Sequence, residues 1–577
     1  MSEKPGSVAI HVAVIVSLVL LASVPCLFTR DLWNPDEPRY MEVAREMVVL
    51  GDYVIPHLNG EIYSEKPPLF FWLAGLLWKA GVGYNSGRIV SLLAVCATLV
   101  ITYLLCRPRI GPTASLLAAV VALTSLLLMQ FAKIGVLDPL ITLLVTSAVA
   151  LGYTAFHRRG GSALLCWLGC YVAMGLATLT KGPVGFLVPA LILLTYGVVN
   201  RRNIKAGGAA HALGFAAFAV VVLGWLIPAI LAGGPEYTRT ILLKQNIGRA
   251  VGSYSHRGPF YYYILWWPYY FFPWSFLLPL AVVAAFRRWR REDGVILLGA
   301  LWLVVPFAFF SLMSGKRMNY VLPATPAVGI VCAWYLTSGR EGMGRALRAE
   351  KWLFSAAFAS VALGVLTLMA GVLFAPSMIQ RMYAEANLGT EIRAFLTPVR
   401  TAAALAMLGI PLVMSIVATF SSHWPATRRA VVLAVVTLLL SLPVDLLLTP
   451  AVNTFKSGRD FGATINRYAA GGKAVCLYGN EYSGVYNLWT GRVRIPLIDS
   501  ANLLRIMLAD PDALVISDLM RIEEVLDPAE LERHELAREH VGHRTMLLLR
   551  GVEPDSRDAS ALPEGRISNL RLKDPTR

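Results

Sequence analysis

Apolar residues run in long blocks along the first 450 positions, each close to the roughly 20 residues that an α-helix needs to cross a bilayer. The blocks predict spans at 8–28, 88–106, 112–130, 136–156, 163–180, 184–200, 210–231, 262–285, 295–313, 320–337, 353–374, 401–420 and 429–449, about thirteen in all. Segment 69–82 is apolar but short, and reads as a helix lying at the interface. The first block has no clear cleavage site before its polar flank, so it reads as a retained helix and not a signal peptide. After residue 450 the pattern changes. Short apolar runs at Ala474–Tyr478, Ala513–Ile516 and Thr545–Leu549 alternate with helical periodicity at 456–469 and 519–539, predicting a small α/β unit over 450–550. Residues 551–577, rich in charge, Pro and Ser, are expected to be a disordered tail.

Composition agrees with a polytopic membrane protein: 56% of the 577 residues are hydrophobic, 15% are charged, and mean hydropathy is +0.59. Seven scattered cysteines, mostly inside apolar runs, argue against a disulfide framework or a zinc ribbon. The net charge of +16 is unevenly spread. Residues 450–577 hold 17 Lys and Arg against 18 Asp and Glu, and residues 1–449 hold 35 against 18. The excess therefore belongs to the membrane part, and no basic tract with interleaved aromatics points to nucleic acid. Alternate short loops carry Arg107 and Arg109, Arg158 and Arg159, Arg201 to Lys205, Arg287 to Arg291, Arg340 to Lys351, and Arg428 with Arg429. The intervening short loops hold only Lys133, Lys181, Lys316 and Arg317. The positive-inside rule makes the first set cytoplasmic, with the N-terminus inside and the C-terminal unit outside. The loops 29–87, 232–261 and 375–400 then lie on the outer face of a transmembrane domain spanning 1–449.

Polar residues at that face are the candidates for chemistry. Asp36-Glu37-Pro38-Arg39-Tyr40 fits the first turn of a helix, where an acidic pair caps the positive end, or supplies a carboxylate to take a proton or order a sugar hydroxyl. In Glu65-Lys66-Pro67-Pro68 the prolines pin Lys66 at the bilayer surface, as a snorkelling anchor or as a point charge for a lipid phosphate. Asp138 precedes Pro139 at the edge of a span, a costly place for a carboxylate that serves either as a cap or as a functional group. Lys181-Gly182-Pro183 reads as a turn with an interfacial lysine. His256 and Arg257, before an aromatic run, suit a solvated loop, a metal or a phosphate. Lys316 and Arg317 beside Tyr320 place two cations where the orientation rule disfavours them, which suits an anionic headgroup.

Together these segments resemble the bacterial GT-C glycosyltransferases of the aminoarabinose (lipid A) transferase group, relatives of the protein O-mannosyltransferases in glycosyltransferase families 39 and 83. The resemblance lies in Asp36 to Tyr40, in His57-Leu58-Asn59-Gly60 followed by Glu65 to Pro68, in Asp138-Pro139, in Lys181 to Pro183, and in Lys316-Arg317 through Tyr320-Val321-Leu322-Pro323. It covers about the first 340 residues, and the last third matches in layout only. It implies a GT-C fold, a sugar donor on undecaprenyl or another polyprenyl phosphate, and an outer-leaflet acceptor such as lipid A or a surface glycan. Lys66 and Tyr320 would contact the donor phosphate, with Arg249 or Arg257 as a third contact, and Asp36 and Asp138 would line the cavity for sugar and acceptor. Glu65 and His256 match residues that hold a divalent metal, zinc or magnesium, in some relatives, with no third ligand evident here.

The chemistry of the residues agrees with that implication. Departure of a lipid phosphate leaves charge on phosphate oxygen, and Lys66, Lys316 and Arg317 supply fixed cations at the outer face. No Gly-rich nucleotide site is present. The rival expectation is a lipid-linked sugar flippase, which should carry polar residues through the midplane, whereas these crowd at one face. Protein O-glycosylation is a further alternative for the acceptor.

Overall fold

The computed structural model describes residues 6–200, 208–241, 258–288, 290, 294–340, 344–382, 397–479 and 484–553. Ten helices among the described residues are long and apolar enough to cross a bilayer. They include α1 (Gly6–Thr29), α4 (Ser86–Ile110), α7 (Leu137–Phe156), α8 (Gly160–Lys181) and α10 (Gly208–Arg239). Gly294–Leu312, Met318–Thr337, Leu347–Phe374, Pro398–Phe420 and Ala426–Lys456 complete the set. Segment 69–82 forms the short apolar helix α3 (Leu69–Lys79).

Three of the thirteen predicted spans come out short or broken, each for a local reason. Block 112–130 divides into α5 (Pro112–Leu123) and α6 (Leu126–Phe131). At the break the hydroxyls of Thr124 and Ser125 donate back to the carbonyls of Val120 and Val121, and the Leu126 amide turns to the carbonyl of Phe272. Block 262–285 divides into Tyr262–Tyr270 and Leu278–Arg288 around a 3₁₀ turn at Trp274–Phe276, because Pro273 has no amide to continue the ladder. The indole of Trp274 donates to Thr124 Oγ1 at 3.0 Å, so one broken helix fills the gap of the other. Block 184–200 forms α9 (Val184–Val199), only 16 residues long.

The loop between the first two long helices is folded. It carries α2 (Asp36–Leu50), closed by Gly51 at φ 71°, then the hairpin of β1 (His57–Leu58) and β2 (Glu61–Ile62), and then the Pro-Pro bend into α3. At the other end of the chain the last span continues past Pro443 through a π-turn at Val444–Leu448. There buried Asp445 takes an ion pair from Lys133 and a hydrogen bond from Cys26 Sγ.

Beyond the last span lies a five-stranded sheet in the order β4-β3-β5-β7-β6. Strands β3 (Ala474–Tyr478), β4 (Leu497–Ile498) and β5 (Ala513–Asp518) are parallel, β7 (Arg544–Arg550) pairs antiparallel with β5, and β6 (Glu535–Val541) pairs antiparallel with β7 at the edge. Alternate residues bury opposite faces, with Leu514, Ile516 and Leu548 on one side and Val515, Leu547 and Leu549 on the other. The predicted helix over 519–539 is only partly present. Leu519–Ile522 and Pro528–His534 are short helices, and from Glu535 the chain pairs with β7 through a turn at Gly542 (φ 71°), so sheet pairing overrides the helical pattern.

Candidate functional site

The site begins at the first turn of α2, where neighbouring acidic residues take opposite roles. Glu37 is buried and gathers four groups. Arg30 pairs with it at 2.6 Å and Arg88 Nε at 3.1 Å, while the amides of Gly135 and Trp33 donate at 2.8 and 3.3 Å. Burial pushes its carboxyl up, but the two guanidiniums and the Gly135 amide outweigh this and hold it below the usual range. Glu37 therefore joins the end of α1, the start of α4 and the turn before α7. Asp36, one residue earlier, remains 37% exposed, with Arg39 Nη2 at 2.6 Å from Oδ1 and Arg317 Nη1 at 3.9 Å from Oδ2.

The second carboxylate, Asp138, lies in the first turn of α7, three residues after the Gly135 amide that Glu37 holds. It is buried and forms an ion pair with Lys181, the last residue of α8. Gly182, at φ 79°, then turns the chain into α9. The Lys181 ammonium also stands 5.0 Å from the centre of the Tyr320 ring, which packs on the Phe310 ring at 5.1 Å. Tyr320 belongs to the 3₁₀ segment Met318–Ala324, next to Arg317, whose carbonyl accepts a hydrogen bond from the Tyr263 hydroxyl at 3.1 Å.

Tyr40 connects the two carboxylates. Burial raises its hydroxyl pKa first, then Asp36, and Asp138 adds to the rise, while Arg39 and Arg317 act against it. One phenol thus feels both acids and the cation opposite. Its ring packs on Phe71, which packs on Tyr63, at 6.0 Å in each case, and this aromatic run brings the 63–68 bend against α2. Glu65 and Lys66 sit half-buried on that bend, and Glu65 contributes to the field at Arg39. The buried Tyr63 hydroxyl and Arg39 Nε have no hydrogen-bond partner among the described residues, so polar groups here are disposed to receive a polar ligand.

Asp36, Asp138, Arg317 and Tyr320 are thus brought together, with Lys66 on the adjoining bend. Lys316 belongs elsewhere. Only 4% exposed, its ammonium donates to the carbonyls of Phe310 at 2.8 Å, Ser311 at 2.7 Å and Met313, capping the helix Gly294–Leu312. All three protons are engaged, so the reading of Lys316 as a phosphate contact is corrected to that of a helix cap. Lys316→Met should lower the melting temperature of the purified protein, by about 1–3 kcal/mol of stability for the stranded carbonyls. Donor KM should stay unchanged in the folded fraction; a raised KM there would restore the phosphate role.

Arg249, His256 and Arg257 lie outside the described residues. Among the described residues no three His, Cys, Asp or Glu side chains converge as a metal set. Glu65 sits on the 63–68 bend, and its expected companion His256 lies outside the described residues. The sequence gives Lys181 only a turn and anchor reading, and it does not mark Tyr40 or Tyr63 as site residues. The lysine carried a signal, a cation on the face that should lack them, but its partner Asp138 is 43 residues away and only folding reveals it.

Comparison with known proteins places this geometry. Residues 65–225 match the dolichyl-phosphate-mannose-protein mannosyltransferase family. The undecaprenyl phosphate-α-4-amino-4-deoxy-L-arabinose arabinosyl transferase of Edwardsiella ictaluri is 34% identical over 342 residues, 58% of this chain and 60% of that protein. The transferase of the same name from Pectobacterium carotovorum is 32% identical over 385 residues, 64% of this chain and 67% of that protein. The matched region spans 54–60% of the length of the first two such relatives. In fold, the crystal structure of ArnT from Cupriavidus metallidurans bound to undecaprenyl phosphate superposes with a TM-score of 0.70 at 21% identity, covering 95% of this chain and 98% of that one.

Proposed function

The chain belongs to the family of the undecaprenyl phosphate-α-4-amino-4-deoxy-L-arabinose arabinosyl transferases, and from that premise we propose that it is an inverting glycosyltransferase. Its donor is a sugar carried on undecaprenyl phosphate, its acceptor is lipid A or another outer-leaflet glycan, and the sugar is of the 4-amino-4-deoxy-L-arabinose type. The observation that carries this reading is the meeting of two carboxylates from separate elements, Asp36 with Arg317 and Asp138 with Lys181, around Tyr40 and Tyr320. A transporter needs no such pairing of acids and cations at one face. The family named for protein mannosyl transfer matches only 161 residues, whereas the arabinosyl transferases align over more than 300, which favours a glycolipid acceptor.

In this reading residues 1–449 form the catalytic domain, 450–550 the outer α/β unit and 551–577 a tail. The N-terminus is cytoplasmic, and the site and α/β unit face the periplasm, as the loop charges require. Lys66, with Arg317 and Tyr320, holds the phosphate of the donor. Acceptor oxygen attacks the anomeric carbon from the face opposite the phosphate. The anomeric carbon–oxygen bond breaks, its electron pair stays on phosphate oxygen, and undecaprenyl phosphate departs. Fixed cations in a water-poor cleft stabilise that developing charge without reorganising. A hydroxyl acceptor gives its proton to Asp36, while a phosphate acceptor needs no base. Lys181 fixes Asp138, which orients the sugar.

The test is reconstitution of the purified full-length protein with radiolabelled undecaprenyl phosphate-linked aminoarabinose and lipid A, beside mass spectrometry of lipid A from a strain lacking the gene and from its parent. Label should move to lipid A, and the strain lacking the gene should lose a sugar-bearing lipid A species. Label that crosses the bilayer while still attached to undecaprenyl phosphate, with unchanged lipid A, would mean a flippase.

A further inference from the structure

The segment that delivers Lys66 is a short hairpin with an unusual anchor. β1 and β2 pair His57 with Ile62 and Leu58 with Glu61, and Asn59 and Gly60 turn the chain at φ 59° and 72°. Two positive φ values in a two-residue loop suit the twist of a hairpin, and Asn followed by Gly is the preferred pair for them. The turn does not point to water. Glu46 of α2 accepts from the amide of Asn59 at 2.7 Å and from that of Gly60 at 3.0 Å, and the Asn59 side chain enters the α/β unit.

There Asn59 Nδ2 donates to the Ile495 carbonyl at 2.9 Å, while Oδ1 accepts from the Ile495 amide and from Asn487 Nδ2, both at 2.7 Å. Asn487 is itself tied down, donating to the Val493 carbonyl at 3.0 Å and accepting the Gly484 amide at 3.1 Å. Asn59 is 5% exposed and Asn487 1%. Beside them Arg45 pairs with Glu42 and donates to the carbonyls of Gly491 and Arg492 at 3.3 and 3.0 Å, so α2 is held to the same stretch of the α/β unit.

We propose that Asn59 is a positioning residue whose side-chain amide, gripped by Asn487 and Ile495, uses the C-terminal α/β unit to hold the Lys66 segment in register with the donor phosphate. The inference rests on the donor-binding role of Lys66 stated above. It gives the α/β unit a task in donor binding without contact with the donor, and it gives the Asn59-Gly60 pair a role beyond turning the chain. The Pro-Pro bend fixes the chain on the membrane side of Lys66, and the hairpin anchor fixes it on the other.

Asn59→Gly is the decisive variant, because glycine keeps the positive φ and removes only the amide. Asn487→Ala removes the other half of the same contact while leaving the loop sequence intact. Donor KM should rise about tenfold in each, with kcat per folded enzyme within about threefold of wild type, since the cation is displaced but retained. The double variant should be no worse than the weaker single one, because both remove one interaction. A role confined to stability would instead lower the folded fraction and leave donor KM unchanged, and that result overturns the proposal. Lys66→Ala, measured alongside, separates the two layers. If it raises donor KM while both asparagine variants do not, only the anchor fails; if it leaves donor KM unchanged, the reading of the site fails and the anchor with it.

Discussion

Lys66→Ala should reduce donor kcat/KM by about 10²–10³-fold, the range expected when one preorganised charge is withdrawn from a departing anion. The loss should divide between KM and kcat. The phosphate is anionic before the reaction, so part of the contact acts in the ground state, and charge that builds on the bridging oxygen adds the rest. Folding should be spared, because Lys66 is half-buried on a surface bend and lies outside the packed helices. Lys66→Arg should recover only part of the rate, since a planar fork does not reproduce a compact ammonium. The measurement is initial velocity against undecaprenyl phosphate-linked sugar at saturating acceptor. Wild-type kinetics would remove Lys66 from the site.

Asp36→Asn carries the second large effect. With a hydroxyl acceptor it should lower kcat by about 10²–10⁴-fold, the usual contribution of a positioned base, with little change in donor KM. The asparagine keeps the shape and forfeits the proton acceptor, along with the charge that Arg39 and Arg317 face. The protein should remain folded, because an ion pair with Asp36 37% and Arg39 25% exposed contributes about 0–1 kcal/mol. A phosphate acceptor would show a smaller loss, so the size of the effect also reports which acceptor group is used. Full activity with every acceptor would exclude Asp36 from the chemistry.

Much of this was legible in the chain, and the exceptions share a cause. Spans announce themselves because a bilayer demands a fixed length of apolar residues whatever their neighbours, so ten of thirteen blocks gave full-length helices. The break at Thr124-Ser125 was hidden because both hydroxyls satisfy themselves within the helix, and what stops the ladder is a carbonyl at Phe272. Residues 535–541 carry helical periodicity but meet β7, which only tertiary pairing reveals. Asp138 stood out because a carboxylate at the edge of an apolar segment is costly, and Asp36 because an acidic pair opens a helix before proline. Lys316 stood out by similar reasoning, as a cation against the orientation rule, yet what it serves is the end of its neighbouring helix. Charge placement flags a residue, and the partner that explains it comes from another part of the chain.

On the proposed reading, the hub at Glu37 limits how the site can change its taste in acceptors. A single carboxylate fastens the helix that begins with Asp36 and the turn that leads to Asp138. The gap between the two acids is therefore one rigid measure, and widening it would strand two buried guanidiniums at once. A relative suited to a bulkier acceptor must make its room away from that hub, along the 3₁₀ segment from Met318 to Ala324, where Tyr320 leans on Phe310 and a change of ring size leaves both guanidinium partners of Glu37 in place.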